Sequence, residues 1–242
     1  MLTLLTFPGS FGAPSHSPYC VKAMCLLQMS GLNWQPEYMH YPRKMPLSRL
    51  PVLKDGDQLI PDSAYIQMHL EAKGVVFNAG LSALEKVQAH ALVQMTEAGL
   101  YNILVHDRWL VDASWEHTRA EFFKAIPWLI RGPLTRNLRK GIRAKMMAQG
   151  TAQFSESERV KHMKSDLVAL SAQLGESDFL FGDAPTAADA AIAPVLDMIL
   201  NLPVETAARS LLRSWDGLPA YVVRVSDAIY PVAQPVKLSV AA

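Results

Sequence analysis

The residues with the clearest chemical potential are Ser17-Pro18-Tyr19-Cys20, just after an apolar run from Leu2 to Phe7. Proline is favoured at the first position of a helix, so the sequence predicts a helix that begins at Pro18, with Ser17 before it. A serine hydroxyl and the free backbone N–H groups at this positive helix end can stabilise a bound thiolate. Serine is also a common helix cap, so Ser17 could serve the helix alone.

The other reactive side chains nearby are less suited to catalysis. Cys20 lies one turn into the predicted helix, and Cys25 follows five positions later. This spacing separates them by about 140° around the helix axis, so they cannot share a metal or form a disulfide there. Two cysteines without such a framework fit a reducing compartment. His16 stands beside Ser17, but a serine–histidine pair needs side chains that meet, and sequence neighbours rarely provide them.

Two further segments have the composition of a ligand site. In Arg49-Leu50-Pro51-Val52-Leu53 a proline enters a predicted strand, where it usually marks an edge or a bulge because it donates no ladder hydrogen bond. Asp62-Ser63 opens a predicted helix. This pair can act as an N-cap, or the Ser63 hydroxyl, the backbone N–H groups and the helix dipole can bind a carboxylate.

The elements that must position these residues alternate between strand and helix over the first 73 residues. Strands are predicted at 2–7, 34–40, 51–53 and 58–60, and helices at 18–31 and 62–73. The Asp55-Gly56 pair between the last two strands predicts a hairpin turn. The order is β-α-β, then a hairpin, then a helix, which is typical of small α/β domains.

After a predicted linker at 75–80, strand signals vanish and helical periodicity takes over. Helices are predicted at 84–111, 156–174, 186–200 and 218–229. Pro127 and then Gly132-Pro133 predict a kink or an end in the segment between the first two of these helices. Thr186 and Asp189 form a predicted capping box ahead of a buried helix, which indicates a structural rather than a catalytic role.

Composition excludes several classes of protein. The chain has 242 residues, half of them hydrophobic and 19% charged, and a net charge of +1, which indicates a globular protein and not a nucleic-acid-binding one. The apolar run at 2–7 is shorter than the apolar core of a signal peptide, and no stretch is long enough to span a membrane. We therefore expect a cytoplasmic protein with no stable membrane insertion.

One stretch is strongly basic, although the whole chain contains nearly equal numbers of basic and acidic residues. Six cations fall between positions 131 and 145, and no acidic residue occurs between Glu121 and Glu156. Such a run is typical of a solvated helix face. The alternatives are contact with an anionic substrate or with a membrane surface.

The order and spacing of these motifs resemble the cytosolic glutathione transferase superfamily, most closely its Fax and metaxin-like branch. The tetrapeptide at 17–20 also resembles the Cys-Pro-Tyr-Cys of glutaredoxins with its first cysteine replaced by Ser17, which suggests that the thiol arrives with the ligand. The matching segments are 14–22, 49–53, 62–66, 149–150, 155–158, 166–171, 182–189 and Leu218-Pro219-Ala220-Tyr221 with Arg224.

The resemblance implies α/β plus all-α architecture: a thioredoxin-like N-terminal domain at 1–74, followed by a helical C-terminal domain at 81–242, in a homodimer. It implies a glutathione site with a cis proline at position 51. The residues assigned to it are Ser17, which would also be catalytic, Leu50, Pro51, Asp62 and Ser63. An electrophile would bind between the domains, near Tyr101, His106, Arg108 and Trp109.

The function implied is conjugation of the glutathione thiolate to a small electrophile, with glutathione as co-substrate and Ser17 donating a hydrogen bond to the thiolate. Two alternatives remain open at this point. One is a glutathione-linked thiol reductase that uses Cys20, and the other is a non-enzymatic, metaxin-like adaptor. The sequence indicates no nucleic-acid partner and no clustered metal ligands.

Overall fold

The N-terminal part is built on a mixed four-stranded sheet. A computed structural model describes residues 1–231. The strands, in the order β2-β1-β3-β4 across the sheet, are β1 (Leu2–Thr6), β2 (Trp34–Tyr38), β3 (Val52–Asp55) and β4 (Gln58–Pro61). β1 pairs with β2 in parallel and with β3 antiparallel, and β3 and β4 form the predicted hairpin. Its turn contains Gly56 at φ 59°, a conformation that glycine adopts without strain.

Two helices complete this thioredoxin-like unit. α1 (Pro18–Met29) connects β1 to β2, and α2 (Ser63–Ala72) follows the hairpin. Nine of the twelve residues of α1 are buried, which is why its sequence is apolar on nearly every side. The predicted fold class is confirmed for this half.

The rest of the described chain is helical, as predicted. Its helices are α3 (Ala83–Ala98), α4 (Leu100–Trp109), α5 (Asp112–Phe122), α6 (Trp128–Ala148), α7 (Glu156–Leu174), α8 (Ala187–Leu200), α9 (Ala207–Arg213) and α10 (Leu218–Ile229). The segment at 75–80 lies between α2 and α3, where a linker is predicted. The division into domains at 1–74 and 81–242 stays a prediction, and residues 232–242 lie outside the described part.

One helix prediction was wrong. The single helix at 84–111 is divided at Gly99, where the Asp166 carboxylate of α7 occupies the space that a side chain at position 99 would need. Of the two positions at which a kink or an end is predicted, Pro127 directly precedes α6, whereas Gly132-Pro133 does not terminate this helix, which contains Pro133 in its second turn. The proline removes a single N–H donor, and the acceptor that this N–H would have reached belongs to exposed Leu129.

The buried helix α8 holds the two halves together, since α1, α3 and α10 all pack against it. Its N-terminus carries the predicted capping box, in which Asp189 Oδ2 accepts hydrogen bonds from Thr186 N at 2.7 Å and Thr186 Oγ1 at 2.8 Å. Asp189 Oδ1 accepts from the buried Tyr221 hydroxyl at 2.9 Å. This network fixes α8, and thereby the surface on which α1 and its N-terminal loop rest.

Candidate functional site

Ser17 occupies the N-cap position of α1 but does not use its side chain as a cap. Within α1, no backbone N–H donates to the Ser17 hydroxyl, although the Ser17 carbonyl accepts from Cys20 N at 3.0 Å and Val21 N at 3.1 Å. The Ser17 amide is directed to the Ser15 hydroxyl at 3.4 Å. Pro18 has no N–H, so the half-buried hydroxyl and the Tyr19 N–H are the donors that remain available to an anion at the positive helix end.

The Leu50–Pro51 peptide bond is cis, as the resemblance implies. Leu5 pairs with Val52 across β1 and β3, so this turn lies beside the end of β1 from which the Ser17 loop departs. Leu50 and Cys20 are buried in one small apolar cluster. These contacts bring the first turn of α1 and the cis-proline turn together.

The start of α2 is tied to the same turn. Asp62 N donates to Pro51 O at 3.1 Å, and Asp62 Oδ1 accepts from Ala64 N at 2.9 Å. Asp62 has φ 74° and ψ 137°, a sparsely populated conformation that costs a non-glycine residue about 1–3 kcal/mol. Ser63 is buried immediately after it. A backbone hydrogen bond therefore joins two of the three segments assigned to glutathione.

His16 is an aromatic platform rather than a base. Its ring is stacked between Phe7, with centroids 4.8 Å apart, and Phe122, with centroids 4.1 Å apart. Burial, followed by the nearby charge of Arg108, lowers the pKa of His16 to about 3. The imidazole is therefore neutral at pH 7 and a poor proton acceptor.

Arg108 is a buried cation of α4 that contacts the loop before Ser17. Its Nη1 donates to His16 O at 2.9 Å, which is the carbonyl of the peptide bond that also contains the Ser17 amide. The guanidinium lies 5.3 Å from the centroid of the Phe122 ring. Burial lowers the pKa of Arg108 to about 10, so the side chain is charged at neutral pH.

Within residues 1–231, the charge of Arg108 has no neutralising partner. No carboxylate of residues 1–231 lies within ion-pair distance of it, and its Nε finds no acceptor among them. An isolated buried charge is strongly unfavourable unless it is paired. The arrangement therefore favours an anionic ligand beside Ser17.

The remaining candidates for the electrophile pocket occupy different surroundings. Tyr101 meets Tyr19 edge to face, with ring centroids 4.9 Å apart, close to the start of α1. Trp109 belongs to an aromatic cluster with Trp115 and reaches the Ser17 loop only through Phe122. His106 is buried and pairs through Nδ1 with Asp107 at 2.9 Å. The structure thus brings Arg108 and Tyr101, but not His106 or Trp109, to the neighbourhood of Ser17.

Sequence reasoning missed Phe122 and the contact between Arg108 and His16. Phe122 ends α5, and nothing in its local pattern distinguishes it from an ordinary core aromatic residue. Arg108 and His16 are 92 positions apart, so no local spacing reports their contact. Lys22 and Glu97, joined by an ion pair of 3.0 Å between α1 and α3, were missed for the same reason.

Cys20 is fully buried. Burial raises the pKa of its thiol, although hydrogen bonds involving the Phe7 backbone and the Thr6, Ser15 and Ser17 side chains partly oppose this. A thiol that resists ionisation and cannot reach solvent is a weak nucleophile.

Two cavities lie away from this site. One of about 360 Å³ lies between the α3–α4 junction and α7, and another of about 660 Å³ lies between β2, α1 and α10. Neither is lined by Ser17, Leu50 or Ser63, so we do not assign either to glutathione. Among residues 1–231 we find no group of three or more side chains that could hold a metal ion, and no helix long and apolar enough to cross a membrane.

Comparison with known proteins matches both halves of the chain. A family model described as "Glutathione S-transferase N-terminal domain" matches residues 18–115, and one described as "Glutathione S-transferase, C-terminal domain" matches residues 163–225. The chain is 27% identical over 239 residues to the isoprene-epoxide–glutathione S-transferase of Rhodococcus sp. (strain AD45), covering 93% of this chain and 98% of that protein.

Other relatives are not named as transferases. Metaxin-1 of Mus musculus is 23% identical over 241 residues, covering 95% of this chain and 75% of that protein. "Failed axon connections" of Drosophila melanogaster is 25% identical over 236 residues, covering 90% of this chain and 55% of that protein.

Among solved structures, glutathione transferase GSTFuA3 from Phanerochaete chrysosporium superposes with a TM-score of 0.66 at 17% identity, covering 96% of this chain and 98% of that one. The glutathione S-transferase CsGST63524 of Ceriporiopsis subvermispora, solved in complex with glutathione, gives a TM-score of 0.61 at 17% identity. It covers 93% of this chain and 95% of that one. At these identities the likeness concerns the fold alone.

Proposed function

Since the chain belongs to the glutathione S-transferase superfamily, in its metaxin-like branch, we propose that it is an active transferase that conjugates glutathione to a small electrophile. The observation that carries this proposal is the position of Arg108, which has no ion-pair partner within residues 1–231 and donates to the carbonyl of the His16–Ser17 peptide bond, next to a Ser17 hydroxyl that does not cap α1. A hydroxyl at a positive helix end and a nearby buried cation together form an environment for a thiolate.

Glutathione would lie across the three segments that the fold brings together. The backbone of Leu50 would pair with its cysteinyl part. The γ-glutamyl carboxylate would accept hydrogen bonds at the start of α2 from the Ser63 hydroxyl and free N–H groups, and the Asp62 carboxylate would face its ammonium group. The sulfur would then stand at the N-terminus of α1, beside Ser17.

In the reaction, the bound thiol loses its proton to water, and the Ser17 hydroxyl donates a hydrogen bond to the thiolate. The thiolate attacks an electrophilic carbon, so that a C–S bond forms as the bond to the leaving atom breaks. For an epoxide, the class of substrate named in the Rhodococcus relative, the C–O bond breaks and the alkoxide oxygen takes a proton from water. Holding both reactants in the cleft provides proximity.

Two alternatives compete with this proposal. The burial and raised pKa of Cys20 oppose a thiol reductase that attacks through this residue. The metaxin relatives support a non-enzymatic adaptor, and that is the second candidate. Against it stands Arg108, because an adaptor that binds no anion has no use for a buried charge without a partner.

We further propose that the protein is a cytoplasmic homodimer. Free, buried Cys20 and Cys25 suit a reducing compartment. α2 and α3 each expose two large apolar side chains three positions apart, and this supports a dimer interface at these two helices. These side chains are Tyr65, Met68, Leu84 and Val87.

Replacement of Ser17 tests the proposal. In Ser17→Ala we expect glutathione to bind with little change, as measured by thermal shift, while turnover of an epoxide falls about 10²-fold or more, since a donor to the reacting anion is lost. Ser17→Thr keeps the hydroxyl and is the matched control, and it should retain most of the activity.

Three results would argue against this assignment. Unchanged turnover in Ser17→Ala would remove Ser17 from the mechanism. Loss of activity in Cys20→Ser but not in Ser17→Ala would favour the reductase. A wild-type protein whose melting temperature does not respond to millimolar glutathione would favour the adaptor, because a ligand at about 100 times its dissociation constant stabilises by about 2.7 kcal/mol.

A further inference from the structure

The start of α6 exposes three consecutive large apolar residues. Trp128, Leu129 and Ile130 are 78%, 69% and 56% exposed, respectively. Isolated apolar side chains are common on protein surfaces, but a contiguous group at a helix end that nothing covers is not. We call residues 128–130 the apolar tip of α6.

The same helix presents cations beside this tip. Arg136, Lys140 and Arg143 are exposed and have no ion-pair partner within residues 1–231. At 3.6 residues per turn, they fall within a sector of about 60° around the axis, and this sector also contains Leu129. α6 thus carries an exposed stripe that is apolar at one end and basic along its length.

Other charges near the stripe are already engaged. Arg139 binds Asp112 at 2.6 Å and lies over Trp115, while Arg131 donates to the carbonyls of Lys124 and Ile126. The acids of α5 are paired too, as Glu116 binds Arg119 and Glu121 binds Lys124. Asp112 also attracts Arg143 from a longer distance, but no acid of α5 forms an ion pair with Arg136, Lys140 or Arg143.

α6 contributes few residues to the core. Of its 21 residues, all of which the structure describes, only Thr135 and Met146 are buried. The helix also falls in the stretch between the two matched domains, which end and resume at positions 115 and 163. A long, exposed helix outside both domains suggests a role of its own.

We propose that α6 is a docking element for anionic phospholipid surfaces, with the apolar tip at the headgroup boundary and the stripe of Arg136, Lys140 and Arg143 against the lipid phosphates. Helices that lie on membranes combine basic residues with Trp and aliphatic side chains in this way, since tryptophan favours the interface and cations attract acidic headgroups. The proposal is independent of the transferase activity.

Charge argues against a second copy of this chain as the occupant. A two-fold interface through α6 would place the same three cations of both copies near each other, and no acids on the helix would separate them. The exposed apolar pairs on α2 and α3 offer a better self-complementary surface. A nucleic acid would use the cations but would leave the aliphatic tip in water.

Vesicle sedimentation tests the inference. The wild-type chain should sediment with vesicles of phosphatidylcholine and phosphatidylglycerol in equal parts, but not with phosphatidylcholine alone, and added salt should release it. The triple variant Arg136→Gln, Lys140→Gln, Arg143→Gln should bind about 100-fold more weakly, since each cation near an acidic surface contributes about a factor of five.

The control removes the same charge elsewhere. Lys54→Gln, Lys86→Gln, Lys164→Gln changes three exposed lysines outside α6 and should bind vesicles as the wild type does. Tryptophan fluorescence gives a second readout: anionic vesicles should shift it to the blue, and Trp128→Phe should abolish most of this shift while the protein melts normally.

Three outcomes would overturn the proposal. One is the absence of sedimentation with acidic vesicles at low salt. Another is equal loss of binding in the α6 and control variants, which would reduce the effect to net charge. The third is a change in oligomeric mass, seen by analytical ultracentrifugation, in the α6 variant with unchanged vesicle binding, because α6 would then be an interface between copies.

Discussion

Replacing Arg108 with glutamine should raise the pKa of glutathione bound beside Ser17. The variant keeps a planar side chain that can still donate to His16 O, but it removes the charge. A free thiol of this kind has a pKa near 8.5. If the buried guanidinium helps to stabilise the bound thiolate, its loss must move the thiol back toward that value.

The size of the effect follows from the position of the charge. Nη1 of Arg108 lies 2.9 Å from the carbonyl of the His16–Ser17 peptide, and for a sulfur bound by the Ser17 hydroxyl we assume a distance of about 6 Å to the guanidinium, the upper end of the range in which charges shift a pKa strongly. At that distance and an effective dielectric constant of about 20, the interaction is about 3 kcal/mol, or about two pKa units.

The assay is an ultraviolet titration of the thiolate in the complex with glutathione, together with the pH dependence of kcat/KM. We expect both curves to move to higher pH by one to two units in Arg108→Gln. Arg108→Lys keeps the charge and should move them less. Arg119→Gln removes a partly exposed arginine of α5 that pairs with Glu116, and it should leave the pKa of the bound thiol unchanged.

A pure change in KM, with the thiol pKa unmoved in Arg108→Gln, would refute this reasoning. In that case Arg108 would only position the loop that precedes α1. Thermal melts of the variants separate either result from simple loss of folding.

Two predictions concern the scaffold. Gly99→Ala should lower the free energy of unfolding by about 1–3 kcal/mol in urea, because its new methyl group collides with Asp166, whereas Gly141→Ala, at an open position inside α6, should raise it by about 0.5–1 kcal/mol. His16 supplies a pH test. Its folded pKa of about 3 lies below the unfolded value of 6.5, so its contribution to stability is present above pH 6.5 and declines as pH falls toward 3. Between pH 6.5 and pH 5 the wild type should lose about 2 kcal/mol that His16→Phe retains. These predictions would be contradicted if stability depended on pH equally in the wild type and His16→Phe, or if Gly99→Ala and Gly141→Ala changed the free energy of unfolding equally.

The elements predicted well are those whose signals are local. The hairpin follows from Asp55-Gly56, the start of α1 from Pro18 and the start of α8 from Thr186 and Asp189, since turns and caps depend on residues within three or four positions. The break at Gly99 lies against Asp166, which is 67 positions away. No periodicity within α3 and α4 could reveal it.

The same distinction applies to the candidate site. Ser17, Pro51 and Asp62-Ser63 can be chosen from the sequence because of their residue types and their positions at the ends of elements. The charge and the aromatic contact at the site cannot be predicted in this way, because Arg108 and Phe122 reach the loop only through tertiary folding. His16 illustrates the difference: its sequence position beside Ser17 suggests a base, and its surroundings make it a neutral platform.

The buried arginine also bears on the choice between an enzyme and an adaptor. Burying a cation without a counter-ion opposes folding, and an apolar residue of similar volume in its place often makes a protein more stable. Arg108 is 6% exposed, has one backbone acceptor and meets no carboxylate within residues 1–231. If the chain served only to hold a shape, Arg108→Met would be neutral or stabilising at every glutathione concentration. If the site binds a thiolate, Arg108→Met should melt at a similar or higher temperature without glutathione, yet gain less from saturating glutathione at a pH where the bound thiol is ionised. The difference between the two melting shifts therefore measures what the charge contributes to the ligand, separately from what it costs the fold.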